Sequence, residues 1–264
     1  MNKIIMIVLG FTAFITLYGC TAKEVINTYS EFEERGYVIV GLDDTFAPMG
    51  FRNNENELVG FDIDLAKAVF NYLGLEVRFQ PIDWNSKELE LKSGSIDMIW
   101  NGLSITEARK KEILFSLPYL ANRQIILTKS GATIDTISDL AGKKLGVQIS
   151  SAADQAVTEN SISSQLGELI KYDTYNQAIL ELDNNTIDGV VIDEIMGRYI
   201  MSQKEGVYQV ASESFLEEFY GIGYRLESVE LKEKIDEALQ ILSTRGVTTT
   251  ISQNWFDEDI FLIS

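Results

Sequence analysis

Two oppositely charged side chains offer the clearest chemistry in this chain, and each sits where an apolar run ends. Arg109 closes the stretch W-N-G-L-S-I-T-E-A-R, Trp100 to Arg109, which follows the short apolar run I-D-M-I-W. Its guanidinium is a planar, permanently charged fork suited to a carboxylate. Ser104 and Glu107 have the spacing of a capping box, which predicts a helix start there. The free amides of such a start would favour the same anion. Asp193 ends the apolar run Ile187 to Ile192, where a buried carboxylate needs a partner and an ammonium would serve. Carboxylate and ammonium on one small molecule describe a free α-amino acid. Phe46 and Trp84 add aromatic faces for a side chain or a cation. Plainer readings stay open: a surface charge for Arg109, a helix N-cap for Asp193, core packing for the aromatics, turn residues for Asp43-Asp44.

The background narrows the field. The chain of 264 residues has 22 basic and 40 acidic side chains, a net charge of −18. Such a surface argues against nucleic acid as a partner, so an anion site has to be built locally. There is no histidine. That excludes Ser-His-Asp and Cys-His catalysis and the usual zinc sites, and neither metal nor cofactor is expected. Asn2 and Lys3 precede the apolar run Ile4 to Leu17 and then Tyr18-Gly19-Cys20, the pattern of a secretory signal. That run is shorter than the roughly 20 residues of a membrane span. A plain secretory signal or an uncleaved anchor are the alternatives to a lipoprotein signal. Cys20 is the single cysteine, so no disulfide is possible and stability must come from the core.

The elements that must position these groups alternate. Residues 21–35 read as a tether. Tyr37 to Leu42 is a β-rich run; the Pro and Gly of Phe46 to Phe51 predict irregular chain. Residues 61–74 place Ile63, Ala66, Val69, Phe70 and Leu73 on one helical stripe, with Gly74 as the stop. A strand over 75–80, a helix near 86–93 and a strand over 96–100 complete a β-α-β-α-β series, which implies a parallel sheet under helices. A second series follows Pro118, with strands near 124–127, 144–148, 169–172, 187–192 and 207–211, and helices near 153–160, 176–182 and 194–203. A strand at 221–225, an amphipathic helix over 228–243 and a last helix near Trp255 close the chain.

The two series repeat one another. V-G-L-D at 40–43 aligns with L-G-V-Q at 145–148, and I-D-M-I-W-N-G at 96–102 with I-D-G-V-V-I-D at 187–193. In open α/β sheets ligands sit beyond the carboxyl ends of the strands. Applied to both series, the rule nominates Asp43, Phe46, Trp84, the segment Asn101 to Arg109, the segment Gln148 to Ala152, and Asp193. Facing lobes would put all of them on one cleft.

Five ordered motifs, V-G-L-D-D-T-F-A-P-M-G-F, G-F-D-I-D-L-A, S-G-S-I-D-M-I-W-N-G, S-I-T-E-A-R-K and D-G-V-V-I-D-E, resemble the polar amino-acid substrate-binding proteins of bacterial ABC importers. Leu17, Gly19 and Cys20 resemble a bacterial lipobox, which implies Cys20 as the lipidation site. The resemblance implies the two-lobed type II periplasmic-binding-protein fold, a Venus flytrap of two sheets flanked by helices with a two-stranded hinge. It implies a signal peptide over 1–20, lobe 1 over 36–120 and again over 215–264, lobe 2 over 121–214, and crossings near 119–123 and 212–220. It implies no catalysis: a monomer, held outside the cytoplasmic membrane by its lipid, that passes a polar L-amino acid to ABC permease subunits. By position, Arg109 with Ser104 and Ser151 would grip the ligand carboxylate. Asp193 and the Gly102 carbonyl would take the ammonium, with Phe46 and Trp84 flanking the side chain. Gly102 itself would leave room for the ammonium. Trp84 with Asp43 and Asn101 suggests a polar neutral side chain such as glutamine or cystine, and Asp43 with the acidic background leaves arginine, lysine or histidine as the alternative. The chain departs from the family at Ser150, where glycine is frequent, and at Ala152, where a hydroxyl is frequent. A catalytic relative of this fold, such as a cyclohexadienyl-type dehydratase, is the competing reading and would need a carboxylate as its general acid.

Overall fold

The computed structural model describes residues 25–264; the expected signal peptide and Cys20 lie outside the described residues. Two five-stranded sheets share one plan. The first runs Glu76–Pro81, Tyr37–Leu42, Met98–Ile99, Gly223–Tyr224, Leu114–Phe115. The second runs Glu168–Tyr172, Lys144–Gln148, Gly189–Asp193, Leu120–Lys129, Tyr208–Tyr220. In each, the first three strands are parallel and the fourth is antiparallel to its neighbours on both sides. The two segment pairs aligned from sequence occupy the second and third places of their sheets. Even the aspartate of each I-D pair does the same job. Asp97 accepts the Ile39 amide at 2.7 Å and Asp188 the Lys144 amide at 2.8 Å.

Hydrophobic periodicity explains the helices. Ile63, Leu65, Ala66, Val69 and Phe70 form the buried stripe of Phe61–Leu73, and Gly74 ends it in the left-handed conformation at φ 73°. A residue with a Cβ would be strained there, so the stop belongs to glycine. Leu231, Ile235, Ala238, Leu239 and Leu242 form the buried stripe of Val229–Thr244, which packs on Phe61–Leu73 and so closes the first lobe. The chain therefore leaves this lobe after Leu114–Phe115 and returns to it at Gly223–Tyr224. Its two crossings pair as an antiparallel ribbon, Leu120 opposite Tyr220 and Asn122 opposite Glu218. That ribbon is the hinge of a two-lobed α/β fold.

Two local expectations give way to tertiary context. The segment around Pro48 is regular after all: Thr45–Phe46, Gly50–Arg52 and Leu58–Val59 form a small antiparallel sheet. Proline is tolerated because it sits in the turn between strands, where no ladder amide is needed. No helix starts at Ser104, which instead bridges Tyr220, and only a 3-10 turn forms at Arg109–Lys111. The Ser104 hydroxyl donates to Glu218 at 2.6 Å and is not used as a cap. The core decides stability in a chain without disulfides. Leu239→Ala, in the helix that welds the return segment to the first lobe, is expected to cost about 2–5 kcal/mol; urea unfolding of variant and wild type measures it.

Candidate ligand-binding site

Eight of the ten nominated residues line one cavity between the lobes: Phe46, Trp84, Gly102, Ser104 and Arg109 from the first, Gln148, Ser151 and Asp193 from the second. Ala152 completes the wall. Asp43 and Asn101 stand one layer behind. Asp43 accepts the Gln148 amide across the cleft at 2.7 Å, and Asn101 accepts the Asp43 backbone N–H at 3.1 Å. A roomier groove of about 790 Å³ lies outside the cleft, walled by Ile105, Phe115, Leu216 and Phe219. Its walls are mostly apolar, and its charged lining, Glu107, Lys110, Glu159, Glu217 and Glu218, is acidic but for one lysine, with no Arg109–Asp193 pairing of opposite poles.

Arg109 is 9 % exposed, so it is no surface charge. Its Nη1 donates to the Ser104 carbonyl at 2.9 Å and its Nη2 to the Ser150 carbonyl of the other lobe at 3.0 Å. Glu88 lies 3.8 Å from Nε. Burial pulls the guanidinium below its usual range while Glu88, Glu218 and Asp193 oppose the shift. A guanidinium carries five N–H donors, so donors remain for a further acceptor.

Ser150 is where the lobes meet. Its φ of 57° lies in the left-handed region that favours glycine. That backbone turns its carbonyl outward to accept both Arg109 and Lys87 Nζ, the latter at 3.0 Å. Its hydroxyl bonds Asn85 at 2.6 Å. Lys87 is buried, and burial with Arg109 nearby pushes its ammonium down to about 8. The next residue, Ser151, caps the helix Ala152–Glu159 by accepting the Asp154 amide at 3.0 Å. The Ser150 contacts with Arg109, Lys87 and Asn85 cross between the lobes, whereas the Ser151 cap stays within the second.

Asp193 ends the strand Gly189–Asp193 and occupies the N-cap position of Glu194–Gln203, yet its side chain makes no capping bond. It turns inward instead. Asn122 Nδ2, Gln124 Nε2 and the Tyr220 hydroxyl donate to Oδ1 at 2.8, 3.0 and 2.7 Å. Burial and the neighbouring Glu218 raise its carboxyl above the usual range. Phe46 faces Tyr175 across the cleft, ring centroids 6.0 Å apart. Trp84 sits on the 3-10 turn Trp84–Ser86, fixed by the Asp83 side chain. Gly102 has φ 55°, and a Cβ there would come within 2.8 Å of Phe46. Its N–H donates at 2.7 Å to Asp62, which also accepts the Tyr119 hydroxyl at 3.0 Å.

Sequence reading misses Lys87, Glu218, Tyr175 and Tyr220. Lys87 stands in K-E-L-E-L-K, which looks like a solvated helix, and Glu218 beside the exposed Glu217. Only the last four residues of Tyr208–Tyr220 alternate, Glu217 and Phe219 outward and Glu218 and Tyr220 inward, and register shifts before them hide that period from the sequence. Among the described residues no cluster of three acidic or cysteine ligands could hold a metal ion.

Fold and site together define a two-lobed receptor for a small zwitterion. The chain belongs to the bacterial extracellular solute-binding proteins, family 3, whose pattern it matches over residues 38–258. It is 27 % identical to the L-cystine-binding protein of Escherichia coli K12 over 256 residues, 96 % of this chain and 95 % of that one. With the ABC transporter arginine-binding protein 1 of the same organism it shares 30 % identity over 249 residues, 91 % of this chain and 94 % of that one. Among solved structures it superposes with a TM-score of 0.86 on an ABC uptake transporter substrate-binding protein from Streptococcus pneumoniae with bound histidine. The two are 38 % identical, over 88 % of this chain and 97 % of that one.

Asp62, fully buried beneath Gly102, is pushed from its ordinary 3.8 up to about 7 by burial. Across that window the folded protein keeps a proton that the unfolded chain has released, so stability falls as pH rises from 3.8 to about 7. Asp62→Asn is expected to flatten this fall. Urea midpoints of both proteins at the two ends of the window measure it, and parallel curves would refute it.

Proposed function

We propose that this protein captures a free polar L-amino acid by lobe closure and delivers it to an ABC permease, without catalysis. One observation carries the reading: buried Arg109 and buried Asp193 line the same interlobe cavity, with Phe46 and Trp84 in the same wall. Arg109 takes the ligand carboxylate with help from Ser104 and Ser151. Asp193 and the Gly102 carbonyl take the ammonium, and Phe46 and Trp84 enclose the side chain, with Asp43, Asn101 and Gln148 setting the polarity beyond. Asp43 is engaged by Thr45 twice and by Gln148, so its charge is largely answered. That supports a neutral polar side chain such as glutamine or half of cystine. The histidine-bound structural neighbour favours the second reading, a cationic arginine, lysine or histidine. The named relatives are transport receptors, which supports a binding role over a dehydratase. Export on the signal of residues 1–20, lipidation at Cys20 and a monomeric receptor on the outer face of the membrane complete the proposal.

Titration calorimetry against the twenty amino acids and cystine tests it. Arg109→Ala is expected to lose about 2–5 kcal/mol of binding, as removal of one partner from a buried charged contact does. Absence of heat with every candidate would overturn the function.

A further inference from the structure

The carboxylate that faces the ammonium is not alone. Glu218, on the hinge strand Tyr208–Tyr220, is 5 % exposed and Asp193 is 4 % exposed. The two share their donors. Asn122 Nδ2 lies 2.8 Å from Asp193 Oδ1 and 2.7 Å from Glu218 Oε1. Gln124 Nε2 lies 3.0 Å from the first and 2.7 Å from the second. Ser104 donates to the same Glu218 oxygen at 2.6 Å. Glu218 Oε2 is buried with no hydrogen-bond partner. Two carboxylates held by the same pair of amides are close enough to repel strongly in a dry site, and one proton between the two relieves that repulsion.

Few other charges face this pair. Arg109 is the cation of the site, already committed to two carbonyls and near Glu88. Tyr175 and Tyr220 face Asp193 from the neighbouring helix and from the hinge strand, and burial drives both hydroxyls well above their usual range. Arg123 and Arg198 are occupied by Glu194 on the outer side. Within the cleft the pair therefore faces one cation with two carboxylates, while Glu107, Lys110, Glu159 and Glu217 line the outer groove that Glu218 borders.

We propose that Asp193 and Glu218 act as one acidic unit that shares a single proton before capture and gives it to solvent when the ligand's ammonium arrives. The inference rests on the amino-acid reading of the cleft. The balance is simple: a positive ammonium enters, one proton leaves to buffer, and the site's charge is unchanged. Glu218, which no sequence motif nominates, becomes the residue that couples affinity to pH.

Calorimetry in buffers of different ionisation enthalpy counts that proton. The probe is the tightest-binding of L-arginine, L-lysine, L-glutamine and L-cystine, or L-histidine after subtraction of its imidazole through the same experiment on Glu218→Gln. Wild type is expected to release about one proton per ligand near pH 6, with affinity rising up to about tenfold per pH unit below the pair's midpoint. Glu218→Gln is expected to bind with little release and a flat pH profile. Should that variant not fold, infrared difference spectra of wild type serve instead, a protonated-carboxyl stretch vanishing on ligand addition. Binding without proton exchange, equal release by both proteins, or no such infrared loss overturns this inference. A lack of binding by every amino acid overturns the functional reading instead.

Discussion

A buried guanidinium must be met by acceptors, and those that meet Arg109 lie on different parts of the molecule. The Ser104 carbonyl belongs to its own loop, the Ser150 carbonyl to the other lobe, and Glu88 to a third segment. An unpaired charge in a dry cleft would cost several kcal/mol. The guanidinium therefore ties the lobes together while keeping donors free. Lys87 and Asn85 add to the same junction at Ser150, which no one of these bonds would hold as well alone.

The opposite pole follows the same logic with the sign reversed. Asp193 and Glu218 are answered by amides and hydroxyls of the hinge ribbon and of Ser104. The hinge is thus more than a connector. Its two strands carry Asn122, Gln124, Glu218 and Tyr220 into the cleft, so residues at the crossing also set the electrostatics of the site. Gly102 stands between the poles, kept in its left-handed conformation by the Asp62 carboxylate beneath it and by the rings of Phe46 and Tyr220 above.

Much of this is legible in residues alone. The repeat of V-G-L-D and L-G-V-Q locates equivalent strands because a buried parallel strand needs an apolar run ending in polar loop. Eight nominated residues reach the cavity wall for the related reason that strand ends of two facing sheets converge. The failures are local. Ser104 with Glu107 has the spacing of a cap, but Glu218, a buried acid 114 residues further along the chain, claims the hydroxyl instead. Asp193 has the position of a cap, and the hinge donors claim its side chain.

The sequence by itself carried the two-series architecture and nominated Arg109 and Asp193, which line one cavity. Periodicity and strand-end chemistry are written along the chain, residue by residue. Only the tertiary structure decided which polar groups answer those charges. Lys87 reads as solvated helix and is buried; Glu217 and Glu218 are adjacent, and one faces water while the other faces Asp193. Such choices depend on segments more than sixty residues apart meeting in a low-dielectric space, as Lys87 and Ser150 do, and no local pattern encodes the partner.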